Sequence, residues 1–247
     1  MSQNHLSPDQ QAALQDFIGF MDDESSQVMI LTGYAGTGKT TVVKTFIEQL
    51  RKGQIPYKLL ASTGRAAKIL ANKTNAETGT VHSYIYEFKG LNDDLEKLVD
   101  KKEKMNVDDQ GQLRLVFEVK QPMDSMETIV YFVDEASMIS DIPNSGSSSA
   151  YFGEKGLLVD LFNYHPTGKF VFIGDVGQLP PVGQKFSPTL TPEYLKEKYQ
   201  KKVRFSRLST NHRQAQGNDI IDLAHQLRNK QEIFLTSSWY VLYYFRH

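Results

Sequence analysis

The segment Gly33–Thr40 has the residue types and spacing to hold phosphate groups. It reads G-Y-A-G-T-G-K-T, and its glycines let the backbone wrap closely enough for N–H groups to surround an anion. This pattern matches the Walker A loop, in which Lys39 reaches the β- and γ-phosphates of ATP and the Thr40 hydroxyl binds Mg²⁺. The alternative is an ordinary glycine-rich turn. The predicted nucleotide contacts are Gly33, Ala35, Gly36, Thr37, Gly38, Lys39, Thr40 and Thr41.

Two adjacent acids supply the second chemical signal. The apolar run Ile129–Val133 predicts a buried strand, and Asp134 and Glu135 follow it directly. Ligands of α/β proteins bind at the carboxyl ends of the strands, so both acids are expected at that edge of the sheet. Asp134 is predicted to serve the Mg²⁺ shell and Glu135 to polarise the attacking water. Seen alone, such a pair is more often a solvated turn.

The elements that must position these residues alternate between strand and helix patterns. Short runs rich in branched or aromatic residues predict buried strands, and an amphipathic stretch ending before Gly53 predicts a helix over 41–50. The alternation predicts an α/β fold with a central parallel sheet. The other predicted strands are Val28–Leu31, Lys58–Ala61 and Phe170–Ile173.

Two stretches interrupt the alternation. Residues 84–122 are interpreted as an insertion that packs on the main sheet, with a charged helical stretch over 91–109 and an alternating strand through Leu113, Leu115, Phe117 and Val119. Residues 143–156 are rich in serine and glycine and are predicted to form a loop.

Composition narrows the class of protein without naming a function. The 247 residues include no cysteine, which excludes disulfide scaffolds, thiolate metal sites and cysteine nucleophiles. The net charge of -1 argues against a global field that attracts nucleic acid, so any polyanion site must be local. Neither a signal peptide nor an apolar run long enough for a membrane span is visible, so we expect a cytoplasmic protein with no membrane partner.

Further motifs resemble those of superfamily 1 DNA helicases. Motifs II and III of that superfamily are similar to Asp134–Met138 and Gly174–Val182. Within it, Ala61–Lys68 resembles motif Ia of the RecD-like and Dda-like branch, with Ser62 where proline is common, and Thr80–Ser83 resembles the Thr-x-His element that follows. Leu208–Gln214 is similar to motif IV. The resemblance runs from Leu6 to about Arg228 in the order of the family.

The resemblance implies a RecA-like P-loop NTPase domain that couples ATP hydrolysis to movement along single-stranded DNA, usually 5′ to 3′. Gln178 is then expected to sense the γ-phosphate, and Arg213 to place a guanidinium on it. The alternative interpretation of Gln178 is a polar turn residue, and that of Arg213 is a solvated charge beside a helix. The family further places an adenine-reading glutamine at Gln10, although Ser7 and Gln10 also fit a capping box with Pro8 at the first helical position.

The DNA-binding face is predicted from the same resemblance. Ser62, Thr63 and Gly64 precede a helix N-terminus and are expected to bind a DNA phosphate. His82 is a second candidate, or else a packed structural residue. The insertion lies where this branch carries its small 1B element, and Phe117 is the candidate for stacking on a base, or a core residue. The expected substrate is single-stranded DNA or its junction with a duplex, and replication or recombination proteins are the expected partners.

The predicted domains are a first motor domain over residues 1–207 and the start of a second over 208–247, atypical from about Thr236. No further motor motifs follow Arg213, so we expect an incomplete motor with weak turnover. One alternative is a nucleotide-gated module that binds DNA or protein without unwinding. Another, a P-loop kinase, is disfavoured by the Gly174–Gln178 string.

Overall fold

The computed structural model describes residues 6–90, 115–123, 128–143, 150–210 and 212. The chain divides into two compact units, residues 1–211 and 212–247, and all of the second except His212 lies outside the described residues. The predicted domain limits therefore stay predictions. The helices are α1 (Pro8–Asp22), α2 (Lys39–Lys52), α3 (Gly64–Thr74), α4 (Val81–Ile85), α5 (Leu157–Tyr164) and α6 (Pro192–Tyr199).

A six-stranded sheet in which all neighbours are parallel forms the centre of the first unit. Its strand order is β3-β2-β6-β8-β1-β9, and all four strands predicted from apolar runs are present. The bounds are β1 (Ser26–Gly33), β2 (Tyr57–Ala61), β3 (Thr78–Thr80), β6 (Val130–Asp134), β8 (Lys169–Gly174) and β9 (Lys202–Leu208). The predicted α/β class is confirmed.

Alternate strand residues enter two separate cores, one on each face of the sheet. Met29 and Leu31 of β1 pack with α1, α2 and α3. Val28 and Ile30 of the same strand pack with α4, α5 and α6. The predicted helix over 41–50 lies within α2, and Gly53 is the C-cap of α2, as expected.

The structure also contains a second, smaller sheet with the strand order β4-β5-β7. The strands β4 (Tyr86–Gly90) and β5 (Leu115–Val119) come from the predicted insertion and pair antiparallel. The third, β7 (Ala150–Phe152), pairs parallel to β5 and corrects the prediction of a continuous loop over 143–156. Because serine and glycine dominate the adjacent residues 144–149, the sequence gives no clear signal for this three-residue strand. The charged stretch 91–109, Leu113 and residues 144–149 lie outside the described residues.

Among the helices of the described residues, none combines the length and the apolar character needed to cross a membrane.

Candidate active site

The predicted motifs meet at one edge of the main sheet. Because its strands are parallel, their carboxyl ends share that edge. Register confirms this for the central strands, since Thr32 pairs with Gly174 and Ala61 pairs with Asp134. The phosphate loop leaves β1, the two acids end β6, and the Gly174–Val182 segment leaves β8.

The phosphate loop has backbone angles that its glycines permit. Gly36 and Gly38 have φ values of 91° and 81°, in the left-handed region that side chains disfavour. Gly38 also serves as the N-cap of α2, so the N–H groups of the first helical turn face the loop. At Gly33 a Cβ would lie 2.5 Å from Thr37 Oγ1, which leaves no room for a side chain. The glycines thus have steric roles that an ordinary turn would not require.

Lys39 lies across the inside of this loop. Its Nζ donates to the carbonyl oxygens of Gly33 at 2.6 Å and Tyr34 at 3.2 Å. Thr40 and Thr41 follow in the first turn of α2 and are half-buried, whereas Ala35 is exposed at the tip of the loop. The ammonium and the helix N-terminus together give the loop the positive character that a triphosphate needs.

The carboxylate of Asp134 is affected by both burial and neighbouring charges. Burial raises the pKa of Asp134, and the charge of Glu135 raises it further, whereas the Glu135 N–H and the positive charges of Lys39 and Lys73 oppose the rise. Lys39 and Lys73 are therefore both near enough to Asp134 to favour its ionised form. The Asp134 carboxylate and the Thr40 hydroxyl are hard oxygen donors, the type that Mg²⁺ prefers alongside phosphate and water. These residues fit a Mg²⁺-nucleotide.

Glu135 is held in an unusual backbone conformation. Its φ of 51° and ψ of 40° lie in the left-handed region, and its N–H donates to Asp134 Oδ1 at 3.0 Å. Such angles are uncommon for a residue with a Cβ and occur preferentially at functional sites. The turn begins the short 3₁₀ helix Ala136–Met138.

A hydrogen bond joins the acidic motif to the segment after β8. Ser137, which is buried, donates from Oγ to Gln178 Oε1 at 2.9 Å. Gln178 is exposed, and its backbone N–H donates to the carbonyl of Asp175. Asp175 is buried and accepts the Gly177 N–H at 2.8 Å. The structure thus places Gln178 one hydrogen bond from the turn that carries Glu135, a link the spacing of 41 residues did not reveal.

Gln10 is buried and contacts the phosphate loop from the side. Its Oε1 accepts the Ser7 N–H at 3.1 Å, which bears out the capping-box interpretation. Its Nε2 donates to the Thr37 carbonyl at 3.2 Å. Contact with adenine stays a prediction.

Comparison with known proteins identifies the family. A sequence profile of the AAA domain family (AAA_19) matches residues 20–184, more than half of the chain. The chain belongs to this family. The AAA domain here is also 32% identical over 163 residues to Uncharacterized protein MJ1519 of Methanocaldococcus jannaschii, covering 64% of this chain and 12% of that protein.

A second relative is the ATP-dependent DNA helicase Pif1 of Psychrobacter sp., 31% identical over 161 residues. The match covers 64% of this AAA domain chain and 20% of the relative, so the chain spans a fifth or less of both relatives. The crystal structure of Pif1 helicase from Candida albicans superposes with a TM-score of 0.51 at 21% identity, covering 92% of this chain and 44% of that one. The likeness confirms the predicted RecA-like P-loop fold, and family and fold together confirm the resemblance to superfamily 1.

Three of the residues predicted to bind DNA lie between the end of β2 and the start of α3 in this AAA domain, as expected. Ser62 Oγ is buried and has no hydrogen-bond partner among the described residues, while its N–H donates to the Asp134 carbonyl. The Thr63 hydroxyl accepts the Ala66 N–H at 3.2 Å and so caps α3. A Cβ at Gly64 would meet nothing within 4 Å. The backbone N–H groups at the start of α3 are of the kind that bind anions, and DNA contact by these residues stays a prediction.

His82 and Phe117 both pack within the fold. The His82 ring lies edge-on to Phe152 with centroids 4.9 Å apart, and burial lowers the pKa of His82. Phe117 stacks on Phe152 at 4.6 Å and is half-buried against one of the cores. Its neighbour Phe88, across the strand pair at 5.4 Å, is the more exposed aromatic. These contacts favour the packed interpretation of both residues, and DNA contact by either stays a prediction.

Three features of the site gave no signal in the sequence. Arg207 donates to the Tyr34 hydroxyl at 3.1 Å and lies over the Tyr34 ring, joining β9 to the phosphate loop. Ser137 bonds to Gln178, and Asp9 bonds to the backbone after β9. Each contact joins residues far apart in the chain. Arg213, predicted to act on the γ-phosphate, lies outside the described residues.

Proposed function

We propose that this chain contains the ATP-hydrolysing motor domain of a superfamily 1 DNA helicase of the RecD-like or Dda-like kind. Hydrolysis of ATP would drive movement along single-stranded DNA, in the 5′ to 3′ direction, toward a junction with the duplex. The family profile and the ATP-dependent DNA helicase Pif1 among the relatives support this proposal. The observation that carries it is that the glycine-rich loop after β1 and the acids at the end of β6 lie at the same carboxyl edge of the main sheet.

Each residue of the site has a proposed role. The loop N–H groups and Lys39 hold the β- and γ-phosphates of ATP, with Gln10 beside the loop. Thr40 and Asp134 would hold Mg²⁺, which neutralises charge developing on the transferred phosphoryl group. Glu135 orients the attacking water and accepts its proton, and Arg213 completes the charge stabilisation around the γ-phosphate.

Gln178 would connect hydrolysis to DNA. Its bond from Ser137 links the turn of Glu135 to a segment whose side chains Leu179 and Val182 are 85% and 98% exposed. A change at the γ-phosphate that moves the Glu135 turn would therefore also move this exposed segment. DNA is the proposed ligand of the surface around it, and replication or recombination proteins are the proposed partners.

The substitution Glu135→Gln tests the enzymatic role. We expect it to keep Mg²⁺-ATP binding but to abolish hydrolysis, measured by single-turnover assays with protein in excess, with and without single-stranded DNA. The matched control is Glu48→Gln, since Glu48 is exposed on α2 and away from the predicted site residues. It should leave both properties unchanged.

A nucleotide-gated binding module is the second candidate, favoured by the same bond from Ser137 to Gln178. In that case ATP would switch DNA affinity without hydrolysis, and Glu135→Gln would leave the switch intact. Loss of ATP-dependent DNA binding in step with loss of hydrolysis would instead support the motor.

A further inference from the structure

The Tyr34 carbonyl is a shared hydrogen-bond acceptor inside the phosphate loop. It accepts the Thr37 N–H at 3.3 Å, the Thr37 hydroxyl at 2.9 Å and the Lys39 ammonium at 3.2 Å. Thr37 is itself buried. The position of the Tyr34 backbone therefore influences both the fold of the loop and the path of the lysine that is predicted to reach the phosphates.

The Tyr34 side chain is held from outside the loop by Arg207. The guanidinium donates from Nη2 to the Tyr34 hydroxyl at 3.1 Å, and its Cζ lies over the ring, 5.7 Å from the centroid. A planar guanidinium can donate a hydrogen bond and also interact with the face of an aromatic ring. Together the two contacts restrict the rotation of the Tyr34 side chain.

Arg207 belongs to a well-anchored part of the main sheet. Strand β9 pairs in parallel with β1 as far as Leu208, which is opposite Gly33 at the start of the loop. Leu208 is buried, and a Cβ at Gly33 would lie 3.1 Å from the Cβ and the carbonyl oxygen of Leu208, so the two strands are in close contact there. From α1, Asp16 accepts the Ser206 hydroxyl at 2.5 Å. Strand β9 therefore fixes the position of Arg207 relative to the loop.

We infer that Arg207 is a positioning residue for nucleotide binding: through the Tyr34 side chain it holds the phosphate loop in the conformation that receives the triphosphate. In this conformation Gly38 caps α2, so the first N–H groups of the helix face the loop. A loop that is ordered before binding loses less conformational freedom on binding, and its affinity is therefore higher. This inference rests on the proposed function, since it assigns Arg207 an effect on the affinity for ATP.

A double-mutant cycle tests whether Arg207 acts through Tyr34. Calorimetry gives the affinity for Mg²⁺-ATP of the unsubstituted full chain, Arg207→Ala, Tyr34→Ala and the double variant. We expect Arg207→Ala to weaken the affinity roughly fivefold, as expected for loss of one hydrogen bond and one exposed cation–π contact. In the Tyr34→Ala background the change at Arg207 should have no further effect, because the two residues act as one unit. A direct attraction between the Arg207 charge and the triphosphate would instead persist in that background.

Three further variants serve as controls. Arg204→Ala removes the same charge from the same strand, but the Arg204 guanidinium lies beside Asp16 and Gly19 of α1, so the ATP affinity should be unchanged. Arg207→Lys keeps a cation that can lie over the ring but lacks the planar fork, so it should recover part of the loss. Tyr34→Phe keeps the ring and loses only the hydroxyl, so its affinity should fall between those of Tyr34→Ala and the unsubstituted chain.

Two more measurements distinguish positioning of the loop from a general loss of stability. Hydrogen exchange at the Thr37 amide, whose acceptor is the Tyr34 carbonyl, should be several-fold faster in Arg207→Ala. The single-turnover rate of hydrolysis at saturating Mg²⁺-ATP should stay within about twofold, because the acids at Asp134 and Glu135 are unchanged.

Unchanged ATP affinity in Arg207→Ala, an equal loss in Arg204→Ala, or independent losses in the double variant would overturn the inference and leave the proposed function standing. Tighter binding in Arg207→Ala would also overturn it, because the contact would then hold the loop away from the nucleotide. The same applies to a chemical step slowed as much as binding, or to unchanged exchange at the Thr37 amide. Absence of ATP binding in the unsubstituted chain would instead overturn the proposed function.

Discussion

Glu135 adopts the left-handed backbone region at φ 51° and ψ 40°, so glycine and alanine at this position should differ in stability. Both substitutions remove the carboxylate, but only alanine keeps a Cβ. The left-handed conformation costs a residue with a Cβ about 1–2 kcal/mol. Glycine avoids that cost but loses about 0.5–1 kcal/mol more conformational free energy on folding. Glu135→Gly should therefore be more stable than Glu135→Ala by about 0.5–1 kcal/mol.

Urea titration and thermal melting measure this difference. For a domain of this size the expected gap in Tm is about 1–4 °C. Gln200 provides a calibration, since its φ of 54° and ψ of 29° at the end of α6 are similar but it lies outside the predicted site. The same pair of substitutions there should show the same gap without affecting hydrolysis, whereas both variants at Glu135 should lose hydrolysis. An alanine variant at 135 as stable as the glycine variant would refute the claim that the fold holds this acid in a strained conformation.

Three further substitutions give separate tests. Ser137→Ala removes the donor to Gln178 and should reduce stimulation of hydrolysis by single-stranded DNA several-fold while ATP affinity stays within about twofold; unchanged stimulation would disprove the coupling role of this bond. Gly38→Ala places a Cβ at φ 81° and should weaken Mg²⁺-ATP binding by at least about tenfold in calorimetry, so unaltered affinity would contradict the assigned loop geometry. Bonds from Lys198, Tyr194 and other neighbours outweigh burial and lower the pKa of Asp141 from 3.8 to about 2. The ionised Asp141 carboxylate therefore stabilises the fold above pH 3.8, and this stabilisation is lost as the pH falls through about 2. In urea titrations at pH 2–5, Asp141→Asn should remove roughly 2 kcal/mol of the pH-dependent part of the unfolding free energy.

The parts of the fold that the sequence predicted are those with strong local signals. Strand β1 contains the unbroken apolar run Val28–Leu31, and α2 has an apolar face with Gly53 beyond it, so local sequence patterns place both. Strand β9 alternates polar and apolar residues, which is itself a strand signal, and an expectation of unbroken apolar runs misses it. Strand β7 went unpredicted because three residues carry too little pattern. Local periodicity does not indicate which strands become neighbours in the sheet.

The nucleotide site was predictable for a related reason. Glycines, lysine and paired acids have chemical roles that depend on spacing within a short segment, and the parallel sheet then brings the segments together. The hydrogen bonds from Ser137 to Gln178 and from Thr210 to Asp9 span 41 and 201 positions, and nothing in the local residues marks them. The predicted DNA contacts depended on resemblance, and nothing in the local sequence indicated that the Thr63 hydroxyl caps α3.

Titration calorimetry with ATP and Mg²⁺ tests the central claim most directly, because that claim is that Lys39 and Asp134 bind one Mg²⁺-triphosphate. The unsubstituted chain should release or absorb heat in a saturable titration with one site, and the signal should disappear in Lys39→Ala. In Asp134→Asn binding should persist but lose most of its dependence on Mg²⁺. No heat from the unsubstituted chain, or the same isotherm in Lys39→Ala, would contradict the account.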